Sequence, residues 1–220
     1  VFTEQMLKTG IPVVVIDPTG AHWGLRSSAD GNSPGYPITI VGGEHADVPL
    51  EKTAGKLLAE LVAEKRVPLI LDTSLLSKTA MRDFVTDFME TLYLRNRHPL
   101  HIIADECDMY IPQRTFPGIE RLLGSMEDVV RRGRKKGLGI TLISQRPASV
   151  HTTVRSQVGT LILLGLTGTH DIKAVDEWVV NHSDPDTAKR VKASLPGLPV
   201  GEAWVWSPQW LQILQRVKVN

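Results

Sequence analysis

The 220-residue chain has a single cysteine, Cys107, so no internal disulfide can staple it. A lone thiol suits a reducing compartment, and the cytoplasm is the expected location. No apolar run approaches the roughly 18 residues of a membrane span, and no secretory signal is visible. Neither sign of charge dominates: 25 Lys and Arg stand against 24 Asp and Glu, so any surface for nucleic acid has to be local. Repeats and low-complexity tracts are absent, and the seven histidines show no metal-ligand spacing among themselves. These absences exclude a disulfide scaffold, a helical membrane span and a repeat array. A chain of this length can still bury a sizeable core in one α/β domain.

What is there alternates. Val1–Gly10 has apolar residues at helical spacing and a glycine placed as a stop. Pro37–Val41, and three runs at Val13–Ile16, Val67–Leu71 and Leu100–Ala104, read as strands; the three runs are each followed by an acid, Asp17, Asp72 and Asp105. Short apolar runs closed by polar residues suit strands buried on both faces, as in a parallel sheet. Between them, Glu51–Glu64 predicts an amphipathic helix with Ala54, Leu57, Leu58, Leu61 and Val62 inward. A second helix, Thr79–Leu94, carries a core stripe of Met81, Phe84, Val85, Phe88 and Leu92. Ala21–Gly35 reads as a long surface loop in which Trp23 and Arg26 stand out. This alternation predicts a mostly parallel sheet flanked by helices.

The central stretch is LHIIADECDMY, Leu100–Tyr110. Its two adjacent carboxylates, Asp105 and Glu106, fall where open α/β sheets bind ligands. Alternation along a strand would point them in different directions and give them different work. One can hold a magnesium ion; the other can orient or deprotonate a water. The stretch resembles a Walker B motif, although such a pair can also cap the following turn. Asp17, in Asp17-Pro18-Thr19-Gly20, reads either as a site residue or as the acceptor of an Asx-turn.

A predicted helix over Ile119–Lys136 ends in Arg131-Arg132-Gly133-Arg134-Lys135-Lys136. The helix dipole accounts for basic side chains only in the last turn; the surplus is available for phosphates of ATP or DNA. The next strand, Gly139–Pro147, closes on Ser144-Gln145-Arg146-Pro147. Gln145 there can touch both a γ-phosphate and an attacking water, or simply satisfy backbone groups. Thr160–Leu166 reads as another fully buried strand. Helices follow at Asp171–Asn181 and after the Asp184-Pro185 cap, and then strands Glu202–Pro208 and Leu211–Val219. The last two strands predict an antiparallel ribbon on the sheet's edge; Trp204, Trp206 and Trp210 could stack on bases, but without dense basic neighbours they read as packing at that ribbon or at a subunit contact.

Taken together, VVVIDPTG, LHIIADECDMYIPQ, VVRRGRKKGLGITLISQRPASV, TLILLGLTGTHD and GEAWVWSP resemble the HerA-like ATPases, a group in the FtsK/HerA branch of the RecA-like P-loop fold. The resemblance spans nearly the whole chain. It implies a single RecA-like ATPase domain over residues 1–220, with ATP and Mg2+ as cofactors. It implies Glu106 as catalytic acid, Asp105 as metal-side acid and Gln145 as sensor. An arginine finger from the 131–134 cluster, Arg131 or Arg134, would act on the neighbouring subunit's ATP. Asp17, Asp105, Gln145 and Arg132 become candidate nucleotide contacts. The implied assembly is a homohexameric ring pumping double-stranded DNA, working with a nuclease or other effector in DNA processing or anti-phage defence. A non-catalytic scaffold subunit and a conjugative or secretion ATPase are the alternatives.

One departure from the family is large. No G-x-x-x-x-G-K-[ST] occurs in the chain; Gly42-Gly43 is followed by Glu44, and Gly118 to Gly124 by no Lys-Ser. Val1–Leu7 resembles the latter part of the helix that a phosphate loop would start. The expectation is that the first strand and phosphate loop lie ahead of Val1.

Overall fold

The computed structural model describes residues 2–180 and 183–219. Val1 and Asn181, each expected at the end of a helix, lie outside the described residues. The chain divides into two compact units, Val1–Gln145 and Arg146–Asn220.

In the first unit five strands form one parallel sheet: β1 (Val13–Asp17), β2 (Thr39–Val41), β3 (Leu69–Asp72), β4 (Leu100–Ala104) and β5 (Leu138–Leu142). Their spatial order is β2-β3-β1-β4-β5. The apolar runs were strands because every residue of β1 and β3 is buried. Alternate residues serve opposite faces. Val13, Val15, Ile40, Ile70 and Ile103 share one cluster with Ile38, covered by Met6 and Leu7 of helix α1 (Phe2–Lys8).

Three more helices accompany the sheet: α2 (Gly55–Lys65), α3 (Lys78–Arg95) and α4 (Glu120–Arg132), with α2 packed on α3 and α3 on α4. Helix α3 starts where Ser77 Oγ accepts the Ala80 N–H at 3.3 Å, satisfying one of the four open donors. Its expected stripe of Met81, Phe84, Val85, Phe88 and Leu92 is buried, each side chain worth roughly 1.5–3 kcal/mol. Helix α4 likewise buries Leu122, Met126 and Val129.

The inward face expected for α2 is corrected. Leu57 and Leu61 are 68% and 39% exposed, whereas Gly55, Leu58, Ala59, Val62 and Ala63 are buried. The cause is a close approach: a Cβ on Gly55 would lie 2.6 Å from the Phe84 carbonyl oxygen. Small residues let the two backbones meet and so set the rotation of α2, and the large leucines turn outward.

The second unit has its own core. Strands β6 (Leu161–Leu163), β7 (Glu202–Ser207) and β8 (Ile213–Lys218) form an antiparallel sheet in that order. Helices α5 (Thr152–Arg155), α6 (Thr169–Val180) and α7 (Pro185–Ser194) complete it. Asp184 caps α7 by accepting the N–H groups of Asp186 and Thr187. Trp178, Trp204 and Trp206 pack with Val175, Val179, Val191 and Leu195, and Trp204 Nε1 donates to Ser194 Oγ at 2.9 Å. Trp204 and Trp206 are thus packing residues, as expected, while Trp210 is 78% exposed.

Two expectations change here. The ribbon β7-β8 is antiparallel as predicted, but among the described residues it pairs with β6 in a separate sheet rather than with the edge of the parallel one. Strand β6 is shorter than expected and not fully buried: Leu163 is inside, but Ile162 is 53% exposed. Its all-apolar run has one covered face, and run length alone does not reveal that. No described helix is long and apolar enough to cross a membrane.

Candidate functional site

Strand order places a crevice at the carboxyl end of β1. The chain leaves β1 for β2 and β3 on one side, then crosses to β4 and β5 on the other. Ligands of open α/β sheets sit at such a reversal. The acids that end β1, β3 and β4 gather there: Asp17 is in register with Asp72, and Asp105 follows Ala104, the partner of Ile16.

Asp17 is fully buried. Its Oδ1 accepts the Thr19 N–H at 3.0 Å, the Thr19 hydroxyl at 2.9 Å and the Gly20 N–H at 2.8 Å. Its Oδ2 accepts the His22 N–H at 2.8 Å. The Asx-turn is therefore real. It also fixes the chain through His22, whose ring Nε2 lies 3.1 Å from Asp105 Oδ2. Asp17, His22 and Asp105 each bring one ligand atom within 4.8 Å of the others. Burial alone would push the His22 imidazole down, but the hydrogen bond to Asp105 and the nearby Asp17 charge outweigh it and raise its pKa above the ordinary value. That same hydrogen bond holds the Asp105 carboxyl below the usual range, against burial.

Asp105 and Glu106 do diverge, but strand alternation is not the reason. Strand β4 ends at Ala104, and Glu106 takes a left-handed backbone, φ 42° and ψ 49°. That conformation is uncommon for a residue with a Cβ and costs about 1 kcal/mol or more. With Asp105 turned to His22, the Glu106 carboxylate meets Gln145, whose Nε2 donates to Glu106 Oε1 at 2.5 Å. Beside it Ser144 Oγ donates to Asp108 Oδ1 at 2.8 Å. Glu106 precedes a single 3-10 turn, Cys107–Met109, without a side-chain capping bond, so the capping explanation of the acid pair does not apply to it. The described side-chain hydrogen bond of Gln145 goes to Glu106 rather than to a backbone group.

The basic cluster stands apart in its bonding. Arg131 Nη1 donates to Glu127 Oε1 at 2.6 Å, and Arg132 pairs with Asp128, both one helical turn back on α4. Arg134 is exposed in the 3-10 turn Gly133–Lys136 that continues α4, which Gly137 ends at φ 78°. The structure thus brings Asp17 to Asp105 and Glu106 to Gln145; the described partners of Arg131 and Arg132 lie on their own helix.

Sequence reasoning overlooked His22. Neighbouring Trp23 and Arg26 drew attention instead; Trp23 stacks on His45 with ring centres 4.2 Å apart, and Arg26 is ion-paired to Asp47. Spacing among histidines could not find His22, since its partners are carboxylates from two strands. The one available signal was its place five residues after a strand-ending acid.

The donor set at this edge fits a divalent cation: Asp17 and Asp105 each offer a carboxylate oxygen within 4.8 Å of the other and of His22, and Mg2+ takes one or two carboxylates along with phosphates.

No protein-family model matches the chain. It is 28% identical over 161 residues to the DNA double-strand break repair helicase HerA of Pyrococcus furiosus, an alignment covering 70% of this chain and 27% of that protein. It is 28% identical over 117 residues to the probable HerA helicase of Methanocaldococcus jannaschii, covering 53% and 22%. The chain thus spans about a quarter of the length of these curated relatives. Among solved structures, the genome packaging NTPase B204 of Sulfolobus turreted icosahedral virus 2, complexed with sulfate, matches with a TM-score of 0.57 at 11% identity, over 96% of this chain and 97% of that one. The same NTPase has been solved with ATP-gammaS. The expected RecA-like fold and the resemblance to HerA-like ATPases are both borne out.

Proposed function

We propose, from a HerA-like sequence on a RecA-like fold, that residues 1–220 serve as the ATPase core of a DNA-translocating motor. Both units act in it as one functional domain. The observation that carries this reading is the Glu106–Gln145 hydrogen bond at the end of β4, beside Asp105. An acid held by a glutamine from the segment after the adjacent strand suits a base that must face a water, with an amide positioned to sense the phosphate next to it.

In this reading Glu106 takes the proton of the attacking water. Its left-handed backbone keeps the carboxylate away from Asp105, so the two charges do different work. Asp105, with Asp17 behind it, would hold magnesium, which would neutralise phosphate charge when bound with the nucleotide. Gln145 exchanges Glu106 for the γ-phosphate and reports the nucleotide state to DNA-contacting loops. Arg132 contributes a phosphate contact, and Arg131 or Arg134 reaches a neighbour's ATP. The assembly is a homohexameric ring on double-stranded DNA in the cytoplasm, partnered by a nuclease or other effector in DNA processing or anti-phage defence. The similarity to HerA helicases supports the DNA substrate.

The test is Glu106→Gln in the natural protein. It keeps shape and removes the base, so nucleotide binding should persist while hydrolysis falls by roughly 10²–10⁴. ATPase activity within a few-fold of wild type would remove Glu106 from this role.

A further inference from the structure

The segment after β5 is fastened to the turn that carries Glu106. Strand β5 ends at Leu142, so residues 143–145 lie past its ladder with β4. The Ile143 N–H still donates to the Ala104 carbonyl at 2.9 Å, and the Ile143 carbonyl accepts the Cys107 N–H at 2.8 Å. The next two residues are tied to the turn through their side chains. Ser144 Oγ donates to Asp108 Oδ1 at 2.8 Å, and Gln145 Nε2 donates to Glu106 Oε1 at 2.5 Å. Ile143, Ser144 and Gln145 thus bond to Cys107, Asp108 and Glu106 in turn.

These bonds differ in setting. Gln145 is exposed, whereas Ser144, Asp108 and Glu106 are half-buried. An exposed amide has water as a competing partner and several rotamers to choose among, so its bond to Glu106 needs a backbone that starts in the right place. Ser144, one residue earlier, supplies that start. Its hydroxyl is anchored to a carboxylate, and such a bond is roughly twice as strong as one between neutral groups. Asp108 in turn belongs to the 3-10 turn Cys107–Met109, which begins next to Glu106. The Met109 N–H donates to the Glu106 carbonyl at 2.9 Å, so the anchor and the acid share one turn. Holding Ser144 to Asp108 therefore sets the gap across which Gln145 meets Glu106.

We propose that the Ser144–Asp108 hydrogen bond positions Gln145 against Glu106 for ATP hydrolysis, so that the glutamine exchanges the acid for the phosphate by side-chain rotation while its backbone stays fixed. The inference rests on the reading of Glu106 as base and Gln145 as sensor. Ser144 and Asp108 touch no reacting atom in it; both are positioning residues that act through Gln145. Without their bond the Gln145 backbone drifts, and a misplacement of about 1 Å in a positioned group can cost up to about 10²-fold in rate. Asp17, Asp105 and Arg132 keep their places, so the loss falls on the chemical step and not on nucleotide binding.

The experiment measures hydrolysis of labelled ATP by the natural protein. Ser144→Ala should lower kcat about tenfold, the weight of one hydrogen bond to a charged group, with KM for ATP within about threefold of wild type. Ser144→Thr keeps the hydroxyl and should recover most of the rate. Asp108→Ala should match Ser144→Ala, and the double variant should lose no more than either alone, because the two residues make one bond. In a Gln145→Ala background, Ser144→Ala should cost nothing further. Wild-type kcat in Ser144→Ala, an equal loss in Ser144→Thr, losses that multiply in the double variant, or a full further loss in the Gln145→Ala background overturns the proposal. Should Asp108→Ala not fold, the Ser144 variants decide without it. The underlying reading fails separately, through wild-type hydrolysis in Glu106→Gln; failure of this inference alone is Ser144→Ala at the wild-type rate while Glu106→Gln is inactive.

Discussion

An arginine finger must leave its own helix to reach a neighbour, so the cost of leaving decides whether Arg131 can serve. Its described partner is Glu127, 2.6 Å away and one turn back, with the Arg131 side chain 53% exposed. An exposed pair of that kind is worth about 0.3–0.5 kcal/mol. A finger contributes 10³–10⁵ in rate, or about 4–7 kcal/mol at the transition state. The intrahelical pair is thus a weak resting place, and its loss in Arg131→Ala should barely change folding stability. Arg134 has no described ion pair to break. The decisive assay mixes two inactive variants of the natural protein, Arg131→Ala (or Arg134→Ala) and Glu106→Gln. If the arginine works across a subunit boundary, some mixed sites combine an intact Glu106 with a neighbour's intact arginine. In a head-to-tail ring assembled at random from equal parts, that is about a quarter of all sites. ATPase activity should reappear on mixing. If the mixture shows only the sum of its two components, the arginine acts within its own subunit or on DNA, and the reasoning fails.

Gly43 has φ +71°, and a Cβ there would fall 1.8 Å from Asp72 Oδ2; Gly43→Ala should lose about 1–3 kcal/mol in urea unfolding, and an unchanged midpoint would show that the 42–43 turn moves freely. The His101 imidazole is pushed down by burial from 6.5 to about 4. Its unfolded state therefore binds more protons between those values, so the stability it contributes is complete above about pH 6.5 and is lost as pH falls towards about 4; half-buried, it should contribute about 1–2 kcal/mol, less than the full shift implies, and a urea midpoint that depends on pH as steeply in His101→Gln as in wild type would refute this. Residues 1–220 alone should bind Mg-ATP far more weakly than micromolar, because a triphosphate beside Asp17 and Asp105 needs a lysine or a nest of N–H groups; calorimetry giving about −8 kcal/mol would locate a phosphate site within residues 21–43.

The strands that build the site were legible because each carries its own punctuation. Four or five apolar residues and then an acid describe β1, β3 and β4, and the acids proved to lie along one edge of one sheet. Helix α3 was legible for the same local reason, since its stripe depends only on its own periodicity. Helix α2 was not. Its rotation is set by the contact of Gly55 with Phe84, a residue 29 positions away, and no periodicity of Leu57 and Leu61 encodes that.

The site divides along the same line. That Asp105 and Glu106 sit together at the end of β4 was readable from their adjacency; why they separate was not. Their divergence comes from the left-handed backbone at Glu106, where the sequence offers no glycine to announce it. A residue with a Cβ tolerates this conformation only when the surroundings hold it there. Besides the local bond from the Glu106 N–H to Asp105 Oδ1 at 3.0 Å, the holds are Gln145 on the carboxylate and the Cys107 N–H, which donates to the Ile143 carbonyl at 2.8 Å. Both come from the segment that follows β5. The turn that aims Glu106 is therefore formed only once β4 and β5 have paired, so the aim of the acid depends on the sheet and not on the LHIIADECDMY stretch alone. His22 follows the same logic: its role appears only when the Asp17 turn has folded and β4 has brought Asp105 beside β1.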